Sequence, residues 1–485
     1  LPSLPKPGTE DATMTGIAAY GAYVPFTRLP LALIAGRAAR EGGPEKAVAY
    51  YDEDAVTMAV AAAVDCLAGV ERASIDGVRF ASTTHPFREK QGAALVAKAL
   101  DLRRDVNTAD FAGSLRAGTA ALEAAANAVA AGAERRVLVV ASDCRMGAPR
   151  GALESKLGDG AAAFLVSDDR PIATIEASYA VADELQDVWR SEGETFTHSW
   201  EDRFVVQEGY TPNLVEAVEG LLHRTGRTPA EFARAALYAP DARSLDGAAR
   251  RLGLPPGRVQ DPLFGRLGNT GAAFAPMLLA AALEQSRPGE RLLLGSYGDG
   301  AQAFSLEVTE HLEKLGPRRG VAGHLARRRP LGSYDAYLRS RRLDPREWPA
   351  AADVGLSATV RFRERDADIG FVGARCRVCA QIHFPRPRVC YRCHTRDAWE
   401  PFRLSDRSGR VLAFTFDFFF PAPEPPTIVV MTEVEGCRVQ VQMTDAKPDT
   451  VRLDMPVGFG FRKIHDAGGK PNYFWKAIPR EADAA

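Results

Sequence analysis

Between Met14 and Glu310, short β-branched runs alternate with alanine-rich stretches of helical length. IDGVRFAS, RRVLVVAS, AALYAP and RLLLGSY have the texture of strands, and DAVTMAVAAAVDCLAG, AGTAALEAAANAVAAG and AAFAPMLLAAALEQ that of helices. Apolar positions run nearly all the way round these helices, which places them between layers rather than on the surface. The alternation predicts an α/β fold built in layers. Asp54 and Thr119 are candidate helix starts.

An internal echo runs through this region. GDGAAAFLVS begins at Gly158 and GDGAQAFSLEV at Gly298, and each follows a strand of the RVLVVAS or RLLLGSY type. In the first copy the polar stretch CRMGAPRGALESKL intervenes. The echo predicts two similar halves, about 14–170 and 171–312, stacked about a pseudo-twofold axis.

The texture then changes twice. KLGPRRGVAGHLARRRPLGSYDAYLRSRRL is rich in Arg, Gly and Pro, and residues 313–360 read as a solvated linker with an amphipathic arm. Beyond it, GRVLAFTFDFFF, TIVVMTEVEG, CRVQVQMTD and MPVGFGFRKI are short strands with aromatics and turns. They predict a small barrel of the OB type over 401–482, with alternate residues of FTFDFFF filling its interior.

The chain of 485 residues is long enough for two or three domains, each with its own core. A formal net charge of -1 argues against nucleic acid or an anionic membrane as the main partner. No apolar run reaches the roughly 18 residues of a membrane span. The polar, proline-rich start LPSLPKPGTED is unlike a signal peptide, and residues 1–13 read as an appended or disordered segment.

Four of the seven cysteines fall in CRVCAQIHFPRPRVCYRC, two C-x-x-C pairs with ten residues between them. Each pair sets two thiolates on a tight turn, and the loop lets both turns meet around one tetrahedral ion. Cys376, Cys379, Cys390 and Cys393 are therefore expected to bind a structural zinc within a rubredoxin-like ribbon over 361–400, in a reducing cytoplasm. His383 and His394 lie close by and are read as bystanders.

AGTAAL, RVLVVASD, the two GDGA turns, FGRLGNTGAAFAPMLLAAALE and LLLGSYGDGA together resemble the thiolase superfamily, in particular the 3-hydroxy-3-methylglutaryl-CoA synthases and the ketoacyl-ACP synthases III. The resemblance covers most of residues 14–312 and implies a duplicated five-layer thiolase fold. The last 150 or so residues resemble the zinc-ribbon and OB-fold proteins that accompany thiolase-like enzymes, here fused into the same chain. The family also implies acyl-CoA or an acyl-carrier protein as partner, and a homodimer or a pairing with a second thiolase-like chain.

Carried over residue by residue, the resemblance breaks at the nucleophile. The family's cysteine lies seven residues before the leucine of its AAL signature, and counting back from Leu122 reaches Leu115. Ser114 is one residue out of register and is also a natural helix cap. The family's histidine falls on Tyr238 in ALYAPDARSL, and its glutamate near Thr83 and Thr84, with His85 beside them. Asn269 in LGNTGAA and Tyr297 in GSYGDG persist.

Three readings follow. The first is an enzyme that makes or breaks a carbon–carbon bond in a β-hydroxyacyl thioester by aldol or retro-aldol chemistry, without an acyl-enzyme intermediate, as thiolase-like steroid aldolases do. Tyr238 would carry the proton, and Asn269 with a backbone N–H near Gly300 would stabilise the enolate. Arg243 or His85 would supply the cation that eases ionisation of the phenol, so Gly300 and Arg243 are the candidates for contact with the CoA thioester. The second reading is a non-catalytic or partner-dependent subunit that binds acyl-CoA. The third is acyl transfer through Ser114.

Overall fold

The computed structural model describes residues 14–344, 357–420 and 422–480; the segment before Met14, residues 345–356 of the expected linker, and position 421 and the last two residues of the expected barrel lie outside the described residues. The layered region is organised by one nine-stranded sheet. Its strands are β1 (Gly16–Tyr23), β2 (Gly77–Ala81), β3 (Asn107–Phe111), β4 (Arg136–Asp143), β5 (Gly160–Ser167), β6 (Ala173–Ala182), β7 (Phe232–Leu237), β8 (Arg291–Tyr297) and β9 (Gly300–Val308).

Their order is β7-β8-β9-β6-β1-β5-β4-β2-β3. Within the sheet the two halves join at a short antiparallel seam, Gly16 opposite Thr174 and Ile17 opposite Ala173. The echo in the sequence has a structural counterpart: the two GDG turns lead into β5 and β9, each the neighbour of a seam strand in its own half.

Helices α1 (Ala55–Cys66) and α2 (Gly92–Ala99) cover the outer face of the first half, and α4 (Thr211–Thr225) and α5 (Ala242–Arg251) that of the second. Helices α3 (Ala117–Ala130) and α6 (Phe274–Leu283) lie between, with α6 touching strands of both halves. Two cores result, and β4 serves both. Val137, Val139 and Ala141 join the central core, while Leu138 and Val140 join the outer one. Burial on both faces is why RVLVVAS is continuously apolar rather than alternating.

Asp54 starts α1 with a capping box, accepting from the backbone N–H groups of Val56 and Thr57 while Thr57 Oγ1 accepts from its own. Thr119 does not start α3. It sits in the first turn with its hydroxyl donated to the Arg116 carbonyl. Gly118, one residue earlier, faces α6 so closely that a Cβ would overlap the Ala272 carbonyl oxygen.

The expected linker is instead packed. Residues Gly320–Ala326 and Tyr334–Ser340 are helical, and Arg329–Pro330 pair in parallel with Thr27 and Arg28. Arginines that read as solvated bind the body of the fold. Arg341 pairs with Asp159 at 2.6 Å and bonds the Cys144 carbonyl, and Arg318 donates to the Tyr20 carbonyl at 2.7 Å.

A further helix, Ala358–Asp368, occupies residues expected to open the ribbon. The ribbon strands are β10 (Val372–Cys376), β11 (Ile382–His383) and β12 (Trp399–Arg403). They are followed by a closed five-stranded barrel: β13 (Gly409–Asp417), β14 (Thr427–Val434), β15 (Cys437–Met443), β16 (Pro456–Ala467) and β17 (Lys470–Pro479). FTFDFFF does not fill it. Phe414 and Phe416 are exposed, as are Phe418 and Phe419 beyond the strand, and the interior is taken by Val430, Val439, Val457, Phe461 and Trp475 among others.

Three consecutive acids before α1 hold the barrel against the first half. Lys476 bonds Asp52 at 2.9 Å, Arg462 approaches Glu53 at 3.4 Å, and the Tyr473 hydroxyl donates to Asp54 at 2.7 Å. The Tyr23 hydroxyl donates to Glu53 and accepts from Arg462. Burial alone would neutralise Lys476, yet Asp52 holds its ammonium above the usual range.

Candidate functional site

The four ribbon cysteines converge. Their Sγ atoms all lie within 4.8 Å of one another, with Cys376 to Cys393 at 3.6 Å and Cys379 to Cys390 at 3.5 Å. A tetrahedral ion about 2.3 Å from each sulfur would require edges of about 3.8 Å, so the set fits such a metal. His383 stands outside the four-sulfur set, with its Nε2 3.4 Å from Cys390 Sγ. His394 is exposed.

The larger cavity of the layered region, about 580 Å³, lies where β2, β3, β4 and β8 end. The C-terminal ends of sheet strands are the usual place for a ligand, since the loops that follow are free to vary. Its walls come from the loop after β2 (Ser82, Thr83 and His85), the turn Ala112 to Leu115 with Asp110, Arg145, Asp187 to Arg190, and Gly298 with Asp299. Arg88, Lys90 and Arg190 stand among its lining cations.

Leu115 is part of the cavity wall, just before the first turn of α3. Ser114 beside it donates its hydroxyl to the Gly298 carbonyl at 3.1 Å and accepts from the Arg116 N–H. None of the seven cysteines lines this cavity. Cys144 packs behind Thr84, and burial pushes its thiol up to about 12.

Thr83 and Thr84, together with Ser82, give their hydroxyls to the buried carboxylate of Asp143, which also takes the Ala272 N–H. Asp143 thereby ties the loop after β2 to the loop before α6. His85 lines the cavity with its ring edge-on to Phe80 and Nε2 3.3 Å from the Phe111 carbonyl.

A smaller chamber of about 50 Å³ adjoins through residues common to both, Arg145, Val188 and Thr197. Tyr238 and Asn269 are in its wall. Arg145 Nη2 donates to Asn269 Oδ1 at 2.9 Å, and the Asn269 Nδ2 donates to the Ala239 carbonyl at 3.1 Å. Burial raises the Tyr238 phenol, with Arg145 and a hydrogen bond from Asn269 acting against the rise. Its ring stands edge-on to Phe274, and Tyr210 donates to its carbonyl at 2.9 Å.

Arg145 is buried, its Nε has no hydrogen-bond partner, and no carboxylate pairs with it among the described residues. A buried cation without a direct ion-pair partner is costly, and such groups are found where a ligand supplies the charge. On the other side of Tyr238, at 5.9 Å between ring centroids, Tyr297 donates to Asp187 Oδ2 at 2.6 Å.

Two sequence-based candidates lie elsewhere. Gly300 lines neither chamber; it pairs with Ala182 in β9, and Gly298 and Asp299 line the cavity instead. Arg243 is exposed on α5, and the cation beside Tyr238 is Arg145. Arg145 and Asp187 escaped the sequence reading because each lies in a polar stretch without a motif, CRMGAPRG and ELQDVWR. The only signal was that these stretches interrupt the strand and helix alternation.

The family model for the C-terminal part of 3-oxoacyl-[acyl-carrier-protein] synthase III matches residues 222–309. A hydroxymethylglutaryl-CoA synthase of Pyrococcus horikoshii is 33% identical over 339 residues, 67% of this chain and 96% of the relative. Among solved structures, MvaS in complex with 3-hydroxy-3-methylglutaryl coenzyme A superposes with a TM-score of 0.61 at 23% identity, over 70% of this chain and 94% of that one. A β-ketoacyl-[acyl carrier protein] synthase III of Thermus thermophilus gives 0.55 at 25% identity, over 60% and 98%.

Proposed function

Since the chain belongs to the hydroxymethylglutaryl-CoA synthase family of the thiolase superfamily, we propose that it is an acyl-CoA enzyme that makes or breaks a carbon–carbon bond in a β-hydroxyacyl thioester by an aldol or retro-aldol step, with the acyl group on its carrier throughout. The observation that carries this reading is the pairing of Leu115 in the cavity wall with Tyr238, Asn269 and Arg145 at its inner end. A hydrocarbon cannot accept an acyl group. Two donors at one small chamber, the Tyr238 phenol and the Arg145 guanidinium that Asn269 holds in place, can stabilise a thioester oxygen as it gains charge.

In the cleaving direction the carbonyl oxygen of the thioester faces Tyr238 and Arg145. Asn269 holds the guanidinium by accepting from it, which reserves Arg145 for the developing enolate. A raised phenol pKa suits Tyr238 to donating a hydrogen bond or a proton rather than to acting as a base at neutral pH. Arg88, Lys90 and Arg190 at the outer cavity suit the phosphates of CoA.

Cys376, Cys379, Cys390 and Cys393 would hold zinc, which closes the ribbon and leaves no open coordination position for a substrate. Strand β3, at one of the two edges of the sheet, is the natural surface for a homodimer. The exposed Phe418 and Phe419, at 70% and 99%, favour a second reading in which a partner chain is needed for activity. Purified protein incubated with a panel of β-hydroxyacyl-CoA thioesters tests the first reading. Formation of a shortened acyl-CoA with an equimolar carbonyl product, and its loss in Tyr238→Phe, are expected; a folded chain without turnover overturns it.

A further inference from the structure

Retro-aldol cleavage needs a base for the β-hydroxyl proton as well as donors for the enolate, and a buried phenol with a raised pKa is poorly suited to the first task. The cavity is lined by three carboxylates, Asp110, Asp187 and Asp299. Asp110 is occupied with the start of α2, accepting from the N–H groups of Gly92 and Ala93 at 2.6 and 2.7 Å. Asp299 is exposed. Asp187 is buried, and it directly precedes Val188, which lines both chambers.

The surroundings of Asp187 are built. Its Oδ1 accepts from the Val188 N–H at 2.6 Å and its Oδ2 from the Tyr297 hydroxyl at 2.6 Å. Tyr297 reaches it because residue 209 is glycine; a Cβ there would overlap the phenol oxygen. Asp187 and Arg145 both line the outer cavity, so a carboxylate and a buried cation are presented to the same bound molecule.

We propose that Asp187 is the catalytic base of this site and Tyr297 the positioning residue that orients it. The inference rests on the aldol reading above. The carboxylate removes the proton of the β-hydroxyl group. The electron pair of the O–H bond becomes the second bond of the new carbonyl, the Cα–Cβ bond breaks, and its pair passes into the thioester enolate beside Tyr238 and Arg145. After the carbonyl product leaves, the proton held by Asp187 returns to Cα. The hydroxyl proton has moved to carbon, Asp187 is again a carboxylate, and no oxidant, reductant or further reactant is required.

Burial places Asp187 above the usual carboxylate range, while the bond from Tyr297 acts in the opposite direction. The pH profile therefore distinguishes a base from a structural residue. On a β-hydroxyacyl-CoA that the wild type cleaves, Asp187→Asn is expected to lower kcat by about 100-fold or more with KM changed less than threefold. Asp187→Glu restores part of the rate. Tyr297→Phe, which removes the hydrogen bond but not the base, moves the acid limb of kcat/KM to higher pH.

A rate for Asp187→Asn within threefold of wild type, or an acid limb unmoved in Tyr297→Phe, overturns the assignment and leaves the aldol reading standing. Absence of turnover in the wild type itself removes both. If Asp187→Asn fails to fold, as judged by its melting transition, the Asp187→Glu and Tyr297→Phe profiles decide alone.

Discussion

Gly298 faces Leu115 across the cavity so closely that a Cβ on the glycine would lie 2.9 Å from the Cβ of the leucine. Glycine at this position, with φ +149°, brings the strand end directly against the start of α3. A side chain at 115 therefore stands at the N-terminus of a 14-residue helix, where a thiolate would be favoured by the helix dipole. Wild-type protein mixed with an acyl-CoA is expected to show no acyl adduct in its intact mass. Leu115→Cys is expected to gain one. An adduct on the wild type, at Ser114 or elsewhere, would falsify the proposal that the thioester stays on its carrier.

Arg145 is expected to separate the proposed catalysis from stability. Removing one donor to a developing oxyanion costs about 3 kcal/mol, or roughly 100-fold in rate. Removing a buried cation that has no carboxylate partner relieves a desolvation cost. Arg145→Met is therefore expected to cleave β-hydroxyacyl-CoA about 100-fold more slowly while melting at or above the wild-type temperature. Arg145→Lys keeps the charge but not the fork geometry and should fall between. A joint loss of rate and of melting temperature would mark Arg145 as structural.

The cysteine cluster predicts one zinc ion per chain by elemental analysis, lost in Cys376→Ser. Four thiolates bound to one ion hold β10, β11 and the second turn together, so metal loss is expected to unfold the ribbon. The cleavage proposed at Tyr238 does not use the ion, so its loss is expected to act on the ribbon alone. Limited proteolysis after chelation should cut first between residues 372 and 403.

His324 gives a pH dependence of definite sign. Its ring is buried against Tyr23 at 5.0 Å between centroids, and burial with Arg319, Arg327, Arg28 and Arg462 nearby holds its pKa well below the usual value. The folded state keeps this histidine neutral, whereas the unfolded chain protonates it below about pH 6.5. Unfolding then takes up a proton, so this contribution to stability is lost as pH falls from about 6.5 towards the folded pKa. His324→Phe is expected to flatten the difference, measured by denaturant titration at pH 7.5 and 5.5.

What was legible in the sequence was local. Strand texture, all-round apolar helices and the two GDG turns need only neighbouring residues to be read, and they led to the layered fold and its halves. The C-x-x-C pairs are local too. Arg145 and Asp187 were not readable, because each acquires meaning only from partners more than 100 positions away, Asn269 and Tyr297. Arg341 and Arg318 misled for the same reason: their acceptors, Asp159 and the Tyr20 carbonyl, lie far off in the chain. FTFDFFF was misjudged because a barrel strand can turn its aromatics outward when the other strands supply enough bulk for the interior.

Asp52, Glu53 and Asp54 look in sequence like an ordinary acidic helix start, yet all three reach the barrel. Arg462 is the centre of this joint. Its side chain is 1% exposed and approaches Glu53 at 3.4 Å and Asp445 at 3.3 Å. Replacing it with methionine leaves both carboxylates buried and facing each other, a change that costs about 3–5 kcal/mol when one member of a buried pair is removed. Arg462→Met should therefore lower the denaturant midpoint markedly and expose α1 to hydrogen exchange, because the outer face of that helix packs on β16. Adding Glu53→Gln removes one of the stranded charges and should recover part of the loss. If the double variant is no more stable than the single one, the ion pair is incidental and apolar packing alone holds the barrel in place.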